Sequence, residues 1–583
     1  MKTEWSLEEI YKGLEDPAYE ADVKAAREAV EETAALLEKL EKEAEGERAE
    51  RLLLQQEKVV SLLRKLFQYV SLRQSVDTGN GDLMAQLSRL QKIDADYTAL
   101  QTTINRQLAG IRDIDGLAEK SELVAAYRFL LKENKEKAQY LLSGEVEEMI
   151  VSMNMTGGAA WEQLQGYLTS TVKVDYEGKN ITLSEVRNLA SSPDKEVRKK
   201  AYEAELAAYG KIQDSVAFSL NNIKNQVTLL AKKRGYISVL DMTMQQSRMK
   251  KETLDAMLKS IEEYLPVFRK YLRKKAVMLG YGNGLPWYEL FAPLGKADRK
   301  FTAKEAGSYL IDCFSAFSPD MSGMIKRAFD EAWIDFYPRA GKRGGAFCSG
   351  IAYLGQSRIM TNFDGYFTSI GTLAHELGHA FHNMQVEKER ILNQEYPMPV
   401  AETASTFNEV HLAEYALDKA VGDERLNLME NDLREHTQVI LDIYSRYLFE
   451  TAVFEQSQSR FLMAEDLNRL MLNAQKEAYG EGLDEAYLNF GMWICKPHYY
   501  SPDLSFYNFP YAFGSLFALG LYGRFKQEGE GFVGKYKKML KATATCTAEE
   551  AGAMMGVDLT SQDFWRAGLK ELEKRVERFC EFS

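Results

Sequence analysis

Cysteine and histidine are scarce in this 583-residue chain, and their distribution narrows the possible functions. The five cysteines are odd in number, lie far apart and form no CxxC pair. This pattern argues against a disulfide framework and against a cysteine-ligated zinc site. All six histidines lie between positions 375 and 498, so any histidine chemistry is confined to that part of the chain.

Long apolar runs and an excess of basic charge are also missing. The first residues, MKTEWSLEEIYKG, contain no apolar stretch typical of a signal peptide, and no run reaches the length that spans a bilayer. The net charge is -13, from 73 basic and 86 acidic residues, whereas nucleic acids and anionic membranes bind basic surfaces. We therefore expect a cytoplasmic protein with no nucleic-acid or membrane partner. The oligomeric state stays open.

Helical periodicity dominates the sequence and predicts a mainly α fold. Charged and apolar residues alternate at helical spacing from about 22 to 67, which suits a long helical hairpin. Residues 172–183 instead alternate with period two around a Glu-Gly turn, which predicts a β-hairpin followed by a helix that Ser184 caps. We place a domain boundary after this hairpin, giving a helical N-terminal domain at 1–190 and a second domain at 191–583.

The strongest chemical signal is His375-Glu-Leu-Gly-His379, an H-E-x-x-H motif in an apolar helical frame. Helical positions four apart differ by about 40° in direction and about 6 Å in height, so both imidazoles can converge on one ion. Glu376 lies beside that ion and can hold a water in the next coordination position. The motif predicts a catalytic zinc site with Glu376 as general base.

The third ligand decides the class of site. A three-histidine site needs glycine at 382 and histidine at 385, but the chain has His382 and Gln385. Glu402 is the better candidate because Pro397-Met-Pro399 can start a returning helix and the neighbouring residues are small.

Two further polar side chains fall near the predicted ligands. Glu409 is seven residues beyond Glu402 on the same helix face, where it could accept the second ring N–H of a ligand histidine or lie in solvent as a surface glutamate. His382 is two turns past His375, so packing or a hydrogen bond fits it better than ligation.

Strand candidates at 333–337 and 357–363 precede the metal helix, with glycines in the gap between them. An exposed strand edge can pair with an extended peptide, which makes Asn362 a candidate for substrate binding. Gly345 and Ala346 leave room for another backbone to approach, so we expect them to contact substrate as well.

Four segments in order resemble the M3 peptidases, and in particular their oligoendopeptidase F branch: GGAFCSG (344–350), IMTNFDGYFTSIGTLAHELGHAFH (359–382), PVAETASTFNEV (399–410) and PHYYSPDLSFYNFPYAFG (497–514). The resemblance covers the C-terminal two-thirds of the chain. It implies two helical lobes around a deep substrate channel, a small β-sheet next to the H-E-x-x-H helix, and an N-terminal domain of the oligoendopeptidase F type.

The resemblance also implies roles for individual residues. It assigns one zinc ion to His375, His379 and Glu402, and the general base to Glu376. It places Glu409 behind the metal ligands. It assigns contacts with the substrate and with the tetrahedral oxygen to His498, Tyr507 and Tyr511. Other branches carry a further tyrosine where this chain has Gly514, so which tyrosine stabilises the oxyanion stays open.

The function expected from these observations is hydrolysis of internal bonds in short, unstructured peptides by a metal-activated water. The alternative enzyme is a helical zinc carboxypeptidase or dipeptidase-like protein, which shares the motif but recognises a chain terminus. A binding protein that has lost catalysis is a third possibility. The retained Glu376 argues against it, because a purely structural metal site has no need of a base.

Overall fold

The computed structural model describes residues 2–40, 43–295 and 299–582. It is mostly helical. The helices of the described chain are, in order, α1 (Pro17–Lys39), α2 (Glu45–Val76), α3 (Gly81–Ala109), α4 (Ile114–Ala118), α5 (Glu122–Ala126), α6 (Arg128–Ala138), α7 (Gly144–Asn154), α8 (Gly158–Thr171), α9 (Leu183–Asn188), α10 (Lys195–Arg234), α11 (Val239–Gln246), α12 (Lys251–Met278), α13 (Ala303–Ser315), α14 (Pro319–Asp330), α15 (Phe367–Val386), α16 (Met398–Ala401), α17 (Thr403–Lys419), α18 (Gly422–Thr437), α19 (Ile443–Ser457), α20 (Ala464–Tyr479), α21 (Met492–Cys495), α22 (Phe509–Glu528), α23 (Glu530–Ala542), α24 (Ala548–Met554) and α25 (Gln562–Cys580). The mainly α prediction is confirmed.

The chain forms two compact units that interleave along the sequence. The first comprises residues 1–148, 298–397 and 530–547, and the second comprises 149–297, 398–529 and 548–583. The two units are defined by contacts between residues, whereas the predicted boundary at residue 190 divides the chain into consecutive segments. The two divisions describe different things, so the boundary at 190 stays a prediction. The channel also stays a prediction.

The first unit is built around α1, α2 and α3, which pack against one another. Asp16 caps α1 by accepting from the Ala18 N–H at 3.0 Å, and Pro17 supplies the first helical position. The predicted hairpin of long helices is confirmed, except that residues 41 and 42 lie outside the described residues. The apolar faces meet in a core that includes Tyr19 and Tyr69.

A three-stranded sheet belongs to the same unit. The strands are β3 (Ile334–Asp335), β4 (Phe347–Ile351) and β5 (Gln356–Met360), in the order β3-β5-β4. β5 is parallel to β3 and antiparallel to β4, and α15 packs against β4 and β5. The small sheet next to the H-E-x-x-H helix is confirmed. The sequence analysis did not predict β4, because the glycines at and near it, Gly344, Gly345 and Gly350, are typical of a loop.

The sheet order corrects the expectation for the peptide-binding edge. β5 contains the predicted strand residues but lies in the middle of the sheet, with both of its sides paired. β4 is a sheet edge in the described strands. Gly350 of β4 faces Asn383 of α15, and a Cβ at Gly350 would come within 2.8 Å of the Asn383 side chain. The missing side chain therefore lets the metal helix pack close to the edge strand.

The second unit holds the predicted hairpin, formed by β1 (Val174–Tyr176) and β2 (Lys179–Ile181) around Glu177-Gly178. The predicted cap of the next helix is wrong. Thr182, not Ser184, accepts from the Glu185 N–H, and the Glu185 side chain returns to the Thr182 N–H. This reciprocal pair satisfies two N–H groups at once, which explains why the helix begins at Leu183. No helix of the described residues is long and apolar enough to cross a membrane.

Candidate metal centre

The start of α15 is fixed by the short segment that precedes it. Asp364 Oδ1 accepts from the Tyr366 N–H at 3.0 Å and from the Ser369 hydroxyl at 2.6 Å. Gly365 has a φ of 89°, and its carbonyl accepts from the Phe301 N–H at 2.8 Å. A side chain at Gly365 would be strained at this φ and would meet the Phe301 carbonyl at 3.0 Å. These contacts set where the helix starts and thus which side chains lie on its inner face.

His375 and His379 lie one turn apart on α15, as the motif predicts. Their ring centroids are 4.8 Å apart and the rings are nearly perpendicular, at 83°. Glu376 is buried, with 5% of its surface exposed. The carboxylate is therefore largely removed from bulk water.

Glu402 joins these two histidines. It follows α16 and precedes α17, and the Ser405 hydroxyl donates to its Oε2 at 2.9 Å. One donor atom from each of His375, His379 and Glu402 can be chosen so that all lie within 4.8 Å of one another. Among the described residues, this is the one group of three or more histidine, cysteine, aspartate or glutamate side chains that could hold a metal ion.

The donor chemistry of the cluster fits a catalytic divalent ion. Two imidazoles and one carboxylate form a common protein ligand set for catalytic zinc, and three protein ligands leave a position free for water. The 4.8 Å limit on the distances between the donor atoms is compatible with ligands about 2.0–2.2 Å from a common centre after small side-chain adjustments. The residues present therefore fit the ion that the sequence implies.

His382 does not join the cluster. Its Nε2 pairs with the Thr543 hydroxyl at 2.8 Å and the Leu540 carbonyl at 3.2 Å, and its ring stacks on Tyr396 with centroids 3.8 Å apart. Burial lowers the pKa of His382 to about 3, so the ring is neutral at physiological pH. It ties α15 to the segment after α23, which agrees with the packing role expected from its position.

Glu409 has an acidic neighbour in the second unit. Partial desolvation by the surrounding protein atoms raises the pKa of Glu435 in α18. The charge of Glu409 raises it further in the same direction. The predicted role of Glu409 behind the ligands stays a prediction.

His498, Tyr507 and Tyr511 come together in the second unit. The His498 and Tyr507 rings stack with centroids 4.8 Å apart, and Tyr511 lies 5.9 Å from His498 and 6.0 Å from Tyr507. Desolvation raises the pKa of Tyr511, and the hydrogen-bonded neighbour Tyr507 and the charge of Glu402 raise it further. Tyr511 is thus a protonated donor close to the candidate ligand Glu402.

Desolvation, followed by the positive charges of Arg446 and Lys496, lowers the pKa of His498 to about 4. Its imidazole is therefore neutral above about pH 5. A neutral ring can donate one hydrogen bond and accept another, but it brings no fixed charge to the site.

The loop that carries Tyr507 is held in an unusual backbone conformation. Phe506 has a φ of 54°, in the left-handed region that non-glycine residues rarely adopt. Its N–H donates to Glu450 Oε1 at 3.1 Å, and the same oxygen accepts from Lys224 Nζ at 2.6 Å. Both charged side chains are about 1% exposed. A buried ion pair therefore holds the backbone immediately before Tyr507.

Asn508, on the other side of Tyr507, is held by Arg446. The Arg446 guanidinium donates to Asn508 Oδ1 at 3.0 Å and also pairs with Asp442. Helix α22 begins at Phe509 with Pro510 in its first turn, so Tyr507 lies in the loop and Tyr511 in the helix, as expected. Tyr507 is thus fixed through the residues on both of its sides.

The predicted substrate-binding residues lie around the turn before the edge strand: Gly345 and Ala346 directly precede β4, and Asn362 follows β5. Asn362 Nδ2 donates to the Arg343 carbonyl at 3.0 Å and to the Gly345 carbonyl at 2.9 Å, so it braces the turn before β4. Gly345 has a φ of 82°, and apart from its two chain neighbours no residue has a heavy atom within 4 Å of where its Cβ would stand. The space expected beside Gly345 and Ala346 is present around Gly345.

Sequence reasoning missed Ser405, Glu450 and Gly514 as supports of the site. Ser405 was noted only for its small size, although a serine three residues after a helix-starting glutamate is well placed to bond it. Glu450 and its partner Lys224 are 226 positions apart, so no local pattern connects them. Gly514 and Glu402 are also far apart in the sequence, so no local pattern predicts their contact.

The protein-family models and the known proteins that this chain resembles all describe peptidases. The sequence model described as peptidase family M3 matches residues 188–291 and 316–571, and the one described as oligopeptidase F matches residues 111–173. Oligopeptidase PepF of Bacillus subtilis is 26% identical over 599 aligned positions, which cover 99% of this chain and 87% of that protein. An oligoendopeptidase F homolog of Lactococcus lactis is also 26% identical, and the alignment covers 99% of this chain and 98% of that protein.

The fold has a solved counterpart. The crystal structure of oligoendopeptidase-F from Enterococcus faecium superposes with a TM-score of 0.71 at 18% identity, covering 96% of this chain and 98% of that one. At this identity the likeness concerns the fold alone. It agrees with the mainly helical architecture described above.

Proposed function

Because this chain belongs to peptidase family M3, we propose that it is a zinc-dependent endopeptidase that cleaves internal bonds of short, unstructured peptides. The observation that carries the proposal is the cluster of His375, His379 and Glu402 beside the buried Glu376. The chain is a peptidase and the cluster suits a divalent metal. Zinc as that metal, and the residue roles below, are the proposed part.

A divalent ion bound by these three side chains would supply Lewis acidity, lowering the pKa of a water and polarising the peptide carbonyl. Glu376 takes the proton of the attacking water on its carboxylate and then delivers it to the leaving amine. Burial of Glu376 favours this role, since few bulk waters compete for the proton.

Tyr511 is the stronger candidate for stabilising the oxyanion. Its raised pKa keeps the hydroxyl protonated, and the influence of the Glu402 charge indicates that the hydroxyl lies close to this candidate ligand. Tyr507 and the neutral His498 would then orient Tyr511 and contact the peptide. A preorganised donor aimed at the developing negative charge is among the largest contributions to catalysis.

Substrate backbone would bind along the edge strand β4. Peptides commonly bind by adding a strand to a free sheet edge, and Gly345 with Ala346 begins that edge. Asn362 acts by holding the turn at Gly345. The five free cysteines of the described chain suit a reducing compartment, so we also propose the cytoplasm as the location.

Two measurements test the proposal. Glu376→Gln should retain the metal, measured by elemental analysis, but lose activity by about 10²- to 10⁴-fold, because the general base is gone. Full activity in this variant would refute the mechanism. A fluorogenic peptide blocked at both ends should be cleaved by the wild type, whereas a carboxypeptidase or dipeptidase-like enzyme would leave it intact.

A further inference from the structure

Gly514 lies in α22 at the point where this helix meets Glu402. A Cβ built on Gly514 would stand 2.8 Å from the Glu402 Cβ and 3.6 Å from its Cα and carbonyl carbon. Real Cβ atoms essentially never come this close to another carbon. The atoms it would meet are backbone and the first side-chain atom, which cannot swing aside as the end of a long side chain can. The absence of a side chain at 514 therefore sets the position of Glu402 relative to α22.

Helix α22 has little freedom to move away from Glu402. The hydroxyl of Ser515 pairs with His436 Nδ1 at 3.3 Å, and the other ring nitrogen of His436, Nε2, lies 3.5 Å from Asp432. The buried Arg575 donates to both carboxylate oxygens of Asp432, at 2.7 and 2.8 Å. Gly568 of α25 packs on the helix as well, since its Cβ would stand 3.2 Å from the Leu516 carbonyl. An added methyl group at 514 must therefore displace Glu402 rather than the helix.

The carboxylate itself is held by a second contact. The Ser405 hydroxyl donates to Glu402 Oε2 at 2.9 Å, and Ser405 is fully buried. This bond limits rotation of the Glu402 side chain. Backbone contact at Gly514 and the hydrogen bond from Ser405 thus fix the two ends of the same side chain.

We propose that Gly514 and Ser405 are positioning residues for Glu402, setting the carboxylate where it completes a metal site with His375 and His379. This inference rests on the proposed function, because it assumes that Glu402 is a ligand. In this chain, any side chain at position 514 would collide with the Glu402 Cβ.

The test measures zinc affinity rather than activity. Metal-free wild type, Gly514→Ala and Gly523→Ala are titrated with zinc in competition with a chromogenic chelator, and circular dichroism checks the folding of each. Gly523 is the matched control because it lies in the same helix and nothing would stand within 4 Å of its Cβ. Changes behind a metal ligand typically weaken affinity about 10- to 100-fold, which is expected for Gly514→Ala, while Gly523→Ala should stay within about twofold.

The outcomes separate the inference from the proposed function. A wild type that binds no zinc would refute the proposed function itself. A wild type that binds zinc together with a folded Gly514→Ala of unchanged affinity would overturn the inference alone. If Gly514→Ala does not fold, Ser405→Ala decides, because it adds no atoms. It should weaken zinc binding in the same range, and unchanged affinity would overturn the inference.

Discussion

The buried ion pair behind Tyr507 offers a sharp test of how the site is supported. Lys224 of α10 and Glu450 of α19 meet at 2.6 Å with about 1% of each side chain exposed, and Glu450 also accepts the Phe506 N–H at 3.1 Å. The perturbation is Glu450→Gln, which keeps the size of the side chain and an oxygen that can accept from Phe506. It leaves the Lys224 ammonium buried without a counter-charge.

The expected loss of stability follows from that uncompensated charge. Removing one partner of a buried pair costs about 3–5 kcal/mol, because the remaining ion is desolvated and unpaired. Backbone strain works in the same direction, since the left-handed conformation of Phe506 costs about 1–2 kcal/mol and depends on its neighbours to persist. The double variant Lys224→Met with Glu450→Gln removes both charges, so it should regain most of the lost stability.

Urea unfolding and peptide-cleavage kinetics measure the two consequences. Glu177→Gln is the matched control, because the Lys200–Glu177 pair has a similar distance of 2.8 Å but about half of each side chain is exposed. Exposed pairs contribute about 0–1 kcal/mol, so the control should barely change. Glu450→Gln should also lower kcat more than it raises KM, since Tyr507 loses its support. A loss no larger than that of Glu177→Gln, or a double variant as unstable as the single one, would refute the reasoning.

Two further predictions concern the cluster formed by Tyr507, Tyr511 and His498. Tyr511→Phe should lower kcat by about 10²-fold or more, as removal of an oxyanion donor does. The loss should exceed that of Tyr507→Phe. A larger loss of kcat in Tyr507→Phe would assign oxyanion stabilisation to Tyr507 instead. His498 has a folded pKa of about 4, below the unfolded value of about 6.5, so its neutral form contributes stability above pH 6.5 that is lost as the pH falls towards 4. His498→Gln should therefore flatten the loss of urea stability between pH 6.5 and 4, and an unchanged pH dependence would contradict the assignment.

Local spacing made the central residues of the site readable from sequence. His375, Glu376 and His379 lie within five positions of one helix, and helical geometry alone brings the two imidazoles together. Glu402 is 23 positions further on, yet small neighbours and a proline-rich turn predicted a returning helix that could reach the ion. The observed cluster of these side chains agrees with that reasoning.

Strand pairing was harder to predict than helical spacing. The β5 segment was recognised, but an isolated strand pattern does not reveal how many partners the strand has. The edge strand β4 was missed because its residues Phe347–Ile351 are flanked and interrupted by glycine, which usually marks a loop. Gly350 is glycine for a different reason, since it makes room for Asn383 of the metal helix. Only the tertiary contact distinguishes these two uses of glycine.

Two supports of the site, Glu450 and Gly514, could not have been found from sequence because each depends on a residue far away in the chain. Lys224 contacts Glu450 across 226 positions, and Gly514 contacts Glu402 across more than a hundred. A buried ion pair and a glycine in a helix would each be replaceable by more stabilising residues if stability alone mattered. Both instead fix a neighbouring backbone, one before Tyr507 and one at Glu402. His375, Glu376 and His379 are therefore predictable from local spacing, whereas Lys224, Glu450 and Gly514 take their roles from contacts that only the fold creates.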